Sequence, residues 1–342
     1  MASTSSTPQP SQKSTAGQQA VGKARMPISL GRESGGILVL LIFVVVLILT
    51  TSNFLTLTNL DNLIRQVAVF AVLSVGELFV ILTGGIDLSV GSILGLSGGV
   101  TALLLVSGVP TPVAVCVGLL IGLAIGLISG LLVTRLSLPP FIATLGMLGA
   151  VRGLVLLLTH ASTIAPLPGD FNNIANGYVL GLPSLFWILI LVAVLASFVL
   201  GRTVFGRYIY AVGSNAESAR LSGVPVKTVL LSVYCISGLL AGFAGILTAS
   251  RLGAGIPTAG TGYELQAIAG AVIGGASLSG AKGRAIGAVI GALIMGMLNN
   301  GGNLLGIDPF YLQIAIGLLI ILAVYFDHLH GLSFKSLRRP AV

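Results

Sequence analysis

Apolar residues fall in ten long blocks along the chain, separated by short polar segments. Each block holds about 17 to 23 residues, which as an α-helix is enough to cross the roughly 30 Å of a bilayer core. The blocks cover residues 36–52, 63–83, 89–107, 111–133, 140–158, 184–201, 229–250, 263–280, 285–303 and 309–326. The pattern predicts an all-α fold, a polytopic bundle of about ten transmembrane helices with both termini on one side.

Composition supports a membrane protein over a soluble one. Hydrophobic residues make up 55% of the chain, charged residues 8%, and the mean hydropathy is +1.06. Soluble domains carry about a quarter charged residues, and transmembrane β-barrels show short alternating segments instead of continuous apolar blocks. Cys116 and Cys235 both fall inside blocks, so we interpret them as small buried hydrophobes and not as a disulfide or metal pair.

The basic residues indicate the orientation. With both termini placed in the cytoplasm, 14 of the 17 Lys and Arg residues fall in cytoplasmic segments. The other three are Arg65, Arg152 and Arg251, near the outer ends of spans or within them. This is the positive-inside pattern, so the sequence predicts cytoplasmic termini. The net charge of +8 is then explained without a nucleic-acid partner.

Three regions follow from this arrangement. Residues 1–34 are basic and rich in Ser, Thr and Gln, which predicts a disordered cytoplasmic tail. Residues 35–327 form the transmembrane domain, and residues 328–342 form a basic cytoplasmic C-terminal tail. The first apolar block has no small-residue cleavage site after it, so we interpret it as an uncleaved span and not as a signal peptide.

The longest polar interruption on the predicted cytoplasmic side covers residues 201–227. Ser214 and Glu217 have the spacing of a capping box. Gly223 can adopt the left-handed conformation that ends a helix, and Pro225 cannot continue one. The pattern predicts a capped helix of two turns over residues 216–222. Because so short a helix is not stable alone, we interpret it as a rigid peg that contacts another protein, with an ordinary structured loop as the alternative.

Glycine spacing predicts close helix packing. The chain has 47 glycines, and two rows recur at every fourth residue. The rows are Gly118, Gly122, Gly126 and Gly130, and then Gly283, Gly287 and Gly291. Rows of this kind form flat helix faces that let backbones approach closely. Such a bundle suits a transporter that changes shape better than a simple anchor.

A second unusual stretch is GGIDLSVG at residues 84–91. Paired glycines and an acid in an apolar region indicate a break between the second and third spans. Asp87 and Ser89 are positioned to cap the start of the third span. GGASLSG at residues 274–280 repeats the pattern G-G-x-x-L-S, either by chance or as a relic of duplication.

Polar side chains within spans are candidates for a translocation path. Glu77 lies inside the second span, where an ionisable group costs about 2.5–3.5 kcal/mol on insertion scales, so we expect it to face the bundle interior or a water-filled cavity. The candidate set is Glu77, Asp87, Phe141, Thr144, Glu264, Asn299 and Asn300. The alternative is structural: Glu77 is a satisfied acid, and the polar groups at span ends are helix caps.

The sequence contains no recognisable ATP-binding motif that could drive transport. GASLSGAK at residues 275–282 departs from a Walker A sequence, because no Lys directly follows its second glycine and no strand precedes it. No nucleophile motif or zinc signature appears, so we expect neither an enzyme nor a metal protein. Uphill transport would need an ion gradient or a partner that hydrolyses ATP.

Five motifs stand in order along the chain. They are GGIDLSVGS (84–92), PPFIATLGM (139–147), FGRYIYAVGSNAESARLSGV (205–224), SGLLAGFAGIL (237–247) and AGAVIGGASLSGAKG (269–283). Together they resemble the membrane permease subunits of bacterial ABC importers for ribose-type sugars. The resemblance covers nearly the whole chain beyond the N-terminal tail.

The resemblance implies a set of partners and a role for the peg. The partners are two cytoplasmic ATPase subunits that bind ATP and Mg²⁺, a second permease copy in a homodimer or pseudo-dimer, and an external sugar-binding protein. No cofactor is expected in this chain. The peg would be the segment that docks in the ATPase. The predicted coupling residues are Gly206, Arg207, Ala211, Gly213, Ser214, Asn215, Glu217, Ala219, Arg220 and Gly223.

The function expected from the resemblance is import of a pentose or hexose across a bacterial inner membrane. Relatives in the family also carry inositol, furanones or nucleosides, so the solute stays open. Two other classes remain on the residues alone. One is a secondary transporter or channel with Glu77 and Asp87 as ion-coupling sites, and the other is a membrane scaffold that transports nothing.

Overall fold

A computed structural model describes residues 33–336 as a helical bundle with one small hairpin. The helices are α1 (Glu33–Thr50), α2 (Leu57–Leu82), α3 (Val90–Val106), α4 (Thr111–Thr134), α5 (Pro140–Leu158), α6 (Gly169–Asn176), α7 (Ser184–Arg202), α8 (Val204–Ser214), α9 (Ala216–Leu221), α10 (Val226–Leu252), α11 (Tyr263–Ile273), α12 (Ala285–Leu304) and α13 (Pro309–Ser336). Strands β1 (Tyr178–Val179) and β2 (Leu182–Pro183) pair antiparallel. The predicted N-terminal tail lies almost wholly outside the described residues, and α13 runs beyond residue 327 into the predicted C-terminal tail.

The structure is consistent with the predicted helical membrane bundle, because each predicted span overlaps a helix. Six helices are long and apolar enough to cross a bilayer, judged by length and composition: α2, α4, α5, α7, α10 and α12. The other four apolar helices, α1, α3, α11 and α13, contain shorter apolar segments.

The predicted end of the eighth span is wrong. The helix α11 ends at Ile273, seven residues before the predicted boundary at residue 280, and its 11 residues span only about 16 Å. Gly274 caps the helix, and Gly275 follows with φ +96°, a conformation that glycine adopts without strain. The glycine pair therefore ends the helix, and the chain reaches α12 through a loop.

The helices α2 and α10 form the centre of the bundle. The most apolar window of α2 is 89% buried, and α10 packs against α2, α3 and α4. The predicted close packing of the first glycine row is confirmed, since a Cβ added at Gly122 would overlap the carbonyl oxygen of Gly238 on α10. In the second row, Gly291 of α12 lies equally close to Gly270 of α11, and Gly287 to Gly274 just after that helix, whereas Gly283 lies in the loop before α12 and not on a helix face. Of the two unpaired cysteines, Cys116 is exposed on α4, contrary to the expectation of burial.

The polar interruption forms two helices, α8 and α9, where one was predicted. Ser214 ends α8, and Asn215 takes an extended conformation and caps α9, its Oδ1 accepting from the Ser218 N–H at 2.8 Å. The predicted capping box of Ser214 and Glu217 is therefore wrong, because Ser214 belongs to α8 and Asn215 is the N-cap residue of α9. Glu217 instead pairs with Arg220 at 2.6 Å.

The predicted end of the short helix is confirmed. Gly223 has φ +83°, and its N–H donates to the Arg220 carbonyl at 3.0 Å. The Val224 N–H donates to the Ala219 carbonyl, also at 3.0 Å. This pair of bonds is the Schellman motif, which satisfies the last carbonyls of a helix. The turn therefore ends α9 before α10 begins.

The two ends of the bundle carry different short elements, and we name each end after them. We call the end with α8 and α9 the peg end, and the end with α6 and the β1–β2 hairpin the hairpin end. The helix α7 joins the two ends, since it follows β2 and precedes α8. At the hairpin end, Ser250 of α10 anchors α6 by donating to the Phe171 carbonyl at 2.7 Å and accepting from the Ala175 N–H at 3.0 Å.

Candidate functional site

The helix α9 projects from the peg end with its charged side chains in solvent. The side chains of Glu217 and Arg220 are 67% and 62% exposed, while Ala219 is buried. Arg220 lowers the pKa of the Glu217 carboxyl through a hydrogen bond and its charge, and Glu217 raises the pKa of Arg220 in return. The pair therefore lies on the exposed face of a short helix whose other face, at Ala219, rests on the bundle.

The predicted coupling residues divide into two groups by exposure. Six of them are exposed and available to a partner protein, and four are buried or half-buried and pack on the bundle. The exposed residues are Arg207, Ser214, Asn215, Glu217, Arg220 and Gly223. The packed residues are Gly206, Ala211, Gly213 and Ala219.

Three segments meet by backbone contact where α8 ends. A Cβ added at Gly213 would overlap the carbonyl oxygen of Leu82, the last residue of α2. That same carbonyl accepts from the Ala281 N–H at 2.9 Å. One helical turn earlier, the Tyr210 hydroxyl donates to the Gly283 carbonyl at 2.8 Å. We call this meeting of α8, the end of α2 and the 274–284 loop the backbone junction.

Sequence reasoning missed the backbone junction, although one signal was present. The two stretches with the pattern G-G-x-x-L-S are the segment after α2 and the segment after α11, and both meet α8 there. The repeat indicated that the two segments are similar but not that they touch. Leu82, Tyr210 and Ala281 therefore join the residues that could carry movement away from the peg.

Glu77 and Asp87 lie together in a fully buried polar cluster close to the backbone junction. The Asp87 N–H donates to Glu77 Oε1 at 3.0 Å, and the hydroxyls of Ser89 and Ser237 donate to the two Asp87 carboxylate oxygens at 2.5 and 2.9 Å. Ser89 therefore bonds to Asp87 and does not cap α3 with its side chain, contrary to expectation. Within the described residues, Glu77 Oε2 and the Tyr234 hydroxyl have no hydrogen-bond partner. The cluster holds the segment after α2 against α10.

The two candidates on α5 differ in their surroundings. Thr144 is buried, and its hydroxyl donates to the Pro140 carbonyl at 2.9 Å and to the Ile86 carbonyl at 3.2 Å. Phe141 is 51% exposed on the surface of the bundle. Thr144 thus links α5 to the segment that carries Asp87, whereas Phe141 stands apart from it.

Glu264 and Arg152 hold the loop before α11 at the hairpin end. Arg152 reaches from α5 and donates to the carbonyls of Pro257 and Ala259, each at 3.0 Å. Glu264 Oε1 accepts from the Gly262 N–H at 3.1 Å, and its Oε2 has no partner in the described part of the chain. The loop between α10 and α11 is therefore held by one guanidinium from α5 and one carboxylate from the first turn of α11.

The two asparagine candidates make side-chain hydrogen bonds to other helices. Asn300 is buried, and it exchanges two amide hydrogen bonds with Asn59 of α2, at 2.7 and 3.1 Å. Asn299 donates to Gln266 of α11 at 3.1 Å. The seven path candidates thus lie in separate places, with Glu77, Asp87 and Thr144 toward the peg end and Glu264, Asn299 and Asn300 toward the hairpin end.

Comparison with known proteins identifies the family. Residues 59–324 match the family model described as a branched-chain amino acid transport system permease component. The ribose import permease protein of Bacillus subtilis is 45% identical over 298 residues, which cover 86% of this chain and 92% of that protein. The D-allose transport system permease protein of Escherichia coli is 43% identical over 282 residues, covering 82% and 86%. The xylose transport system permease protein of Escherichia coli is 34% identical over 340 residues, covering 81% and 86%.

No solved structure matches the chain significantly. The family model spans most of the chain, and the relatives are matched over most of their own length. The resemblance read from the five motifs is confirmed by these matches. Membership implies ATPase and substrate-binding partners, and a permease component is not itself an enzyme. The chain therefore belongs to this family of ABC-importer permease components and is a multi-pass protein of the bacterial cell membrane.

Proposed function

We propose that this chain is the membrane-spanning permease subunit of an ABC importer for a monosaccharide, a ribose-like pentose or a hexose. An external binding protein delivers the sugar, and partner ATPases drive its passage. The family description names branched-chain amino acids, but the relatives at 34–45% identity are permeases for ribose, allose and xylose. Full-length similarity to sugar permeases favours a sugar over an amino acid.

The observation that carries the mechanism is the exposed helix α9 connected to the backbone junction. Where two backbones are in contact, no flexible side chain can absorb a displacement. Protein interiors are packed at close to crystal density, so little free space is available either. Movement of α9 would pass through α8 to α2 and to the 274–284 loop, in addition to α7 and α10, which flank the two short helices in the chain. Such rigid-body shifts of packed helices are a known class of switching.

The proposed topology has ten spans and cytoplasmic termini, with the peg end inside. The short helix α11 would cross together with the loops on either side of it. These loops are anchored at opposite ends of the bundle: Gly255 pairs with Ile164 near α6, and Ala281 bonds to Leu82 at the backbone junction. The distribution of Lys and Arg supports this orientation.

The proposed assembly contains two permease copies, which we take as identical, together with two ATPases, the external binding protein and surrounding lipid. ATP and Mg²⁺ would be bound by the ATPases, and no cofactor by this chain. The proposed path candidates are those named above. Glu77 and Asp87 are the ion-coupling groups of the rival secondary transporter, which predicts transport without ATP.

The test uses the permease reconstituted with its ATPases and binding protein in vesicles. We expect the double variant Glu217→Ala with Arg220→Ala to lose ATP-dependent sugar uptake at least tenfold and to lose the ATPase on purification, because it removes both exposed charges of α9. The control is Lys227→Ala, an exposed residue in the first turn of α10, which should behave as the wild type. Unchanged uptake in the double variant, or uptake without ATP that Glu77→Gln abolishes, would contradict the proposal.

A further inference from the structure

A polar cavity of about 390 Å³ opens at the hairpin end. It lies between the start of α2, the end of α6, β1 and the end of α10. Six polar or charged residues of these elements line it: Asp61, Asn62, Arg65, Asn176, Tyr178 and Arg251. The only aliphatic residue in the lining is Leu252. None of these residues belongs to the path candidates or to the peg.

Arg65 is fully engaged within the chain. Its Nε donates to Asp61 Oδ2 at 2.8 Å, and another guanidinium nitrogen donates to the Ala175 carbonyl. The guanidinium carbon lies 5.1 Å from the centre of the Tyr178 ring. These contacts use the single acid of the cavity and tie α2 to α6 and β1. We therefore assign Arg65 and Asp61 a structural role.

Arg251 has no such partner. It is half-buried in the last turn of α10, and within the described residues its guanidinium makes neither an ion pair nor a hydrogen bond. The charged group facing it from α2 is Arg65, which repels it, and the polar group facing it from α11 is the Tyr263 hydroxyl. A guanidinium carries five donors in a planar fork, and leaving them partly desolvated and unpaired is unfavourable.

The chemistry of the cavity selects its occupant. A planar guanidinium fork binds a carboxylate or a phosphate in a bidentate manner. The lining itself holds only one aliphatic residue, so the cavity suits the charged end of an occupant and not an acyl chain. A water molecule occupies about 30 Å³ of liquid, so the cavity is far larger than a small free anion requires. Its size and polar lining suit an acidic side chain presented by another protein.

We propose that this cavity is a docking site for an Asp or Glu side chain of the external sugar-binding protein, with Arg251 as its partner. The inference rests on the proposed function, which supplies that protein and places the hairpin end outside. Arg251 then stays unpaired in the isolated permease and becomes paired in the complex. The site is separate from the path along which the sugar moves.

The test measures binding and stability together. The permease–ATPase complex is placed in nanodiscs of neutral lipid, and the binding protein is the one from the same organism that stimulates its ATP hydrolysis. We expect Arg251→Gln to weaken binding of that protein about tenfold or more, measured as Kd by biolayer interferometry. The Tm of the isolated permease should stay the same or rise, since an unpaired cation is removed. The matched control is Arg135→Gln, an exposed arginine at the end of α4, which should bind as the wild type.

A second variant keeps Arg251 in place. Asn62 is exposed on α2 and lines the same cavity, so Asn62→Asp adds an acid that competes for the guanidinium and should also weaken binding. Wild-type Kd values for both variants overturn the proposal, as does a clear fall in Tm for Arg251→Gln, which would show an internal structural partner. An effect of Arg251→Gln that appears only in nanodiscs with anionic lipid assigns the cavity to a lipid phosphate and also overturns it. If the wild-type complex shows no stimulation by any binding protein, the proposed function itself fails.

Discussion

The peg end and the hairpin end of this bundle are held together by different mixtures of backbone and side-chain contacts. At the peg end, α8 meets Leu82 and Ala281 through backbone atoms, with a glycine at the closest point. At the hairpin end, Ile164 and Gly255 also pair through their backbones, but further side chains bridge the elements, as where Asn176 donates to the carbonyl of Ser250. Backbone contacts cannot yield by rotamer changes, whereas side-chain hydrogen bonds can exchange partners. With the proposed function, this difference predicts that the peg end transmits movement, whereas the side-chain bridges of the hairpin end can rearrange.

The strongest way to break this comparison is to insert one methyl group at the backbone junction. We expect Gly213→Ala to reduce ATP-dependent uptake at least tenfold, because the added Cβ would overlap the Leu82 carbonyl and push α8 away from α2. Overpacking of this kind costs about 1–3 kcal/mol, so the Tm should fall while the protein still inserts. Uptake and Tm are measured on the same reconstituted sample.

The matched control for this variant is Gly201→Ala. Gly201 lies in the last turn of α7, only twelve residues earlier, and nothing lies within 4 Å of an added Cβ there. In a helix, replacing Gly by Ala is favourable by up to about 1 kcal/mol, so this variant should keep uptake and gain slightly in stability. Equal behaviour of the two variants would show that the backbone junction does not transmit movement.

A smaller effect is expected from the amide pair at the hairpin end. Asn300→Ala leaves the Asn59 amide buried without one partner, and such a group costs about 1–3 kcal/mol of stability. We expect the double variant with Asn59→Ala to lose less stability than the sum of the two single variants, because the pair is lost only once. Urea unfolding of the permease in nanodiscs measures all three.

The control for the amide pair is Asn62→Ala, on the exposed side of the same helix, which should change the unfolding free energy by less than about 0.5 kcal/mol. Strict additivity of the two single variants would mean that their amides act independently. The hairpin end would then be stabilised by contacts other than its side-chain hydrogen bonds.

The smallest effect concerns the charge pair on the peg. Arg220 holds the pKa of Glu217 below its ordinary value of 4.5, so the pairing is present above that pH and is lost as the pH falls through the lowered pKa. We expect Arg220→Gln to move the Glu217 titration to higher pH, observed by NMR on carboxyl-labelled protein. Lys227→Gln should leave the titration in place. An unshifted midpoint in Arg220→Gln would show that the pair does not exist in the membrane-embedded protein.

Much of the fold could be predicted from local pattern alone. The positions of the spans follow from hydrophobic length, and the end of α9 follows from a glycine and a proline in the right order. The wrong predictions concerned helix ends, where a neighbouring residue took the role that we had assigned to another. Asn215 took the cap predicted for Ser214, and the pair Gly274–Gly275 ended α11 early, because apolar composition does not distinguish a helix from the loop that follows it.

The candidate sites were predictable only in part. The family resemblance drew attention to residues 205–224, and the capping residues within that segment indicated a short helix, which the structure shows as α9 with an exposed face. It did not reveal that Tyr210 and Gly213 lie on the 274–284 loop and on Leu82. Nor did it reveal that Arg65 is satisfied while Arg251 is not, since the two arginines look alike in sequence and differ only in what surrounds them.

By itself, the sequence determined that this protein is a helical membrane bundle, which family it belongs to, and that one short helix stands outside the apolar blocks. These properties depend on composition and short-range spacing, which the chain carries along its length. Only the tertiary structure decided which backbone segments touch and which buried charges find partners. Both depend on contacts between residues far apart in the chain, which the local hydrophobic pattern does not predict.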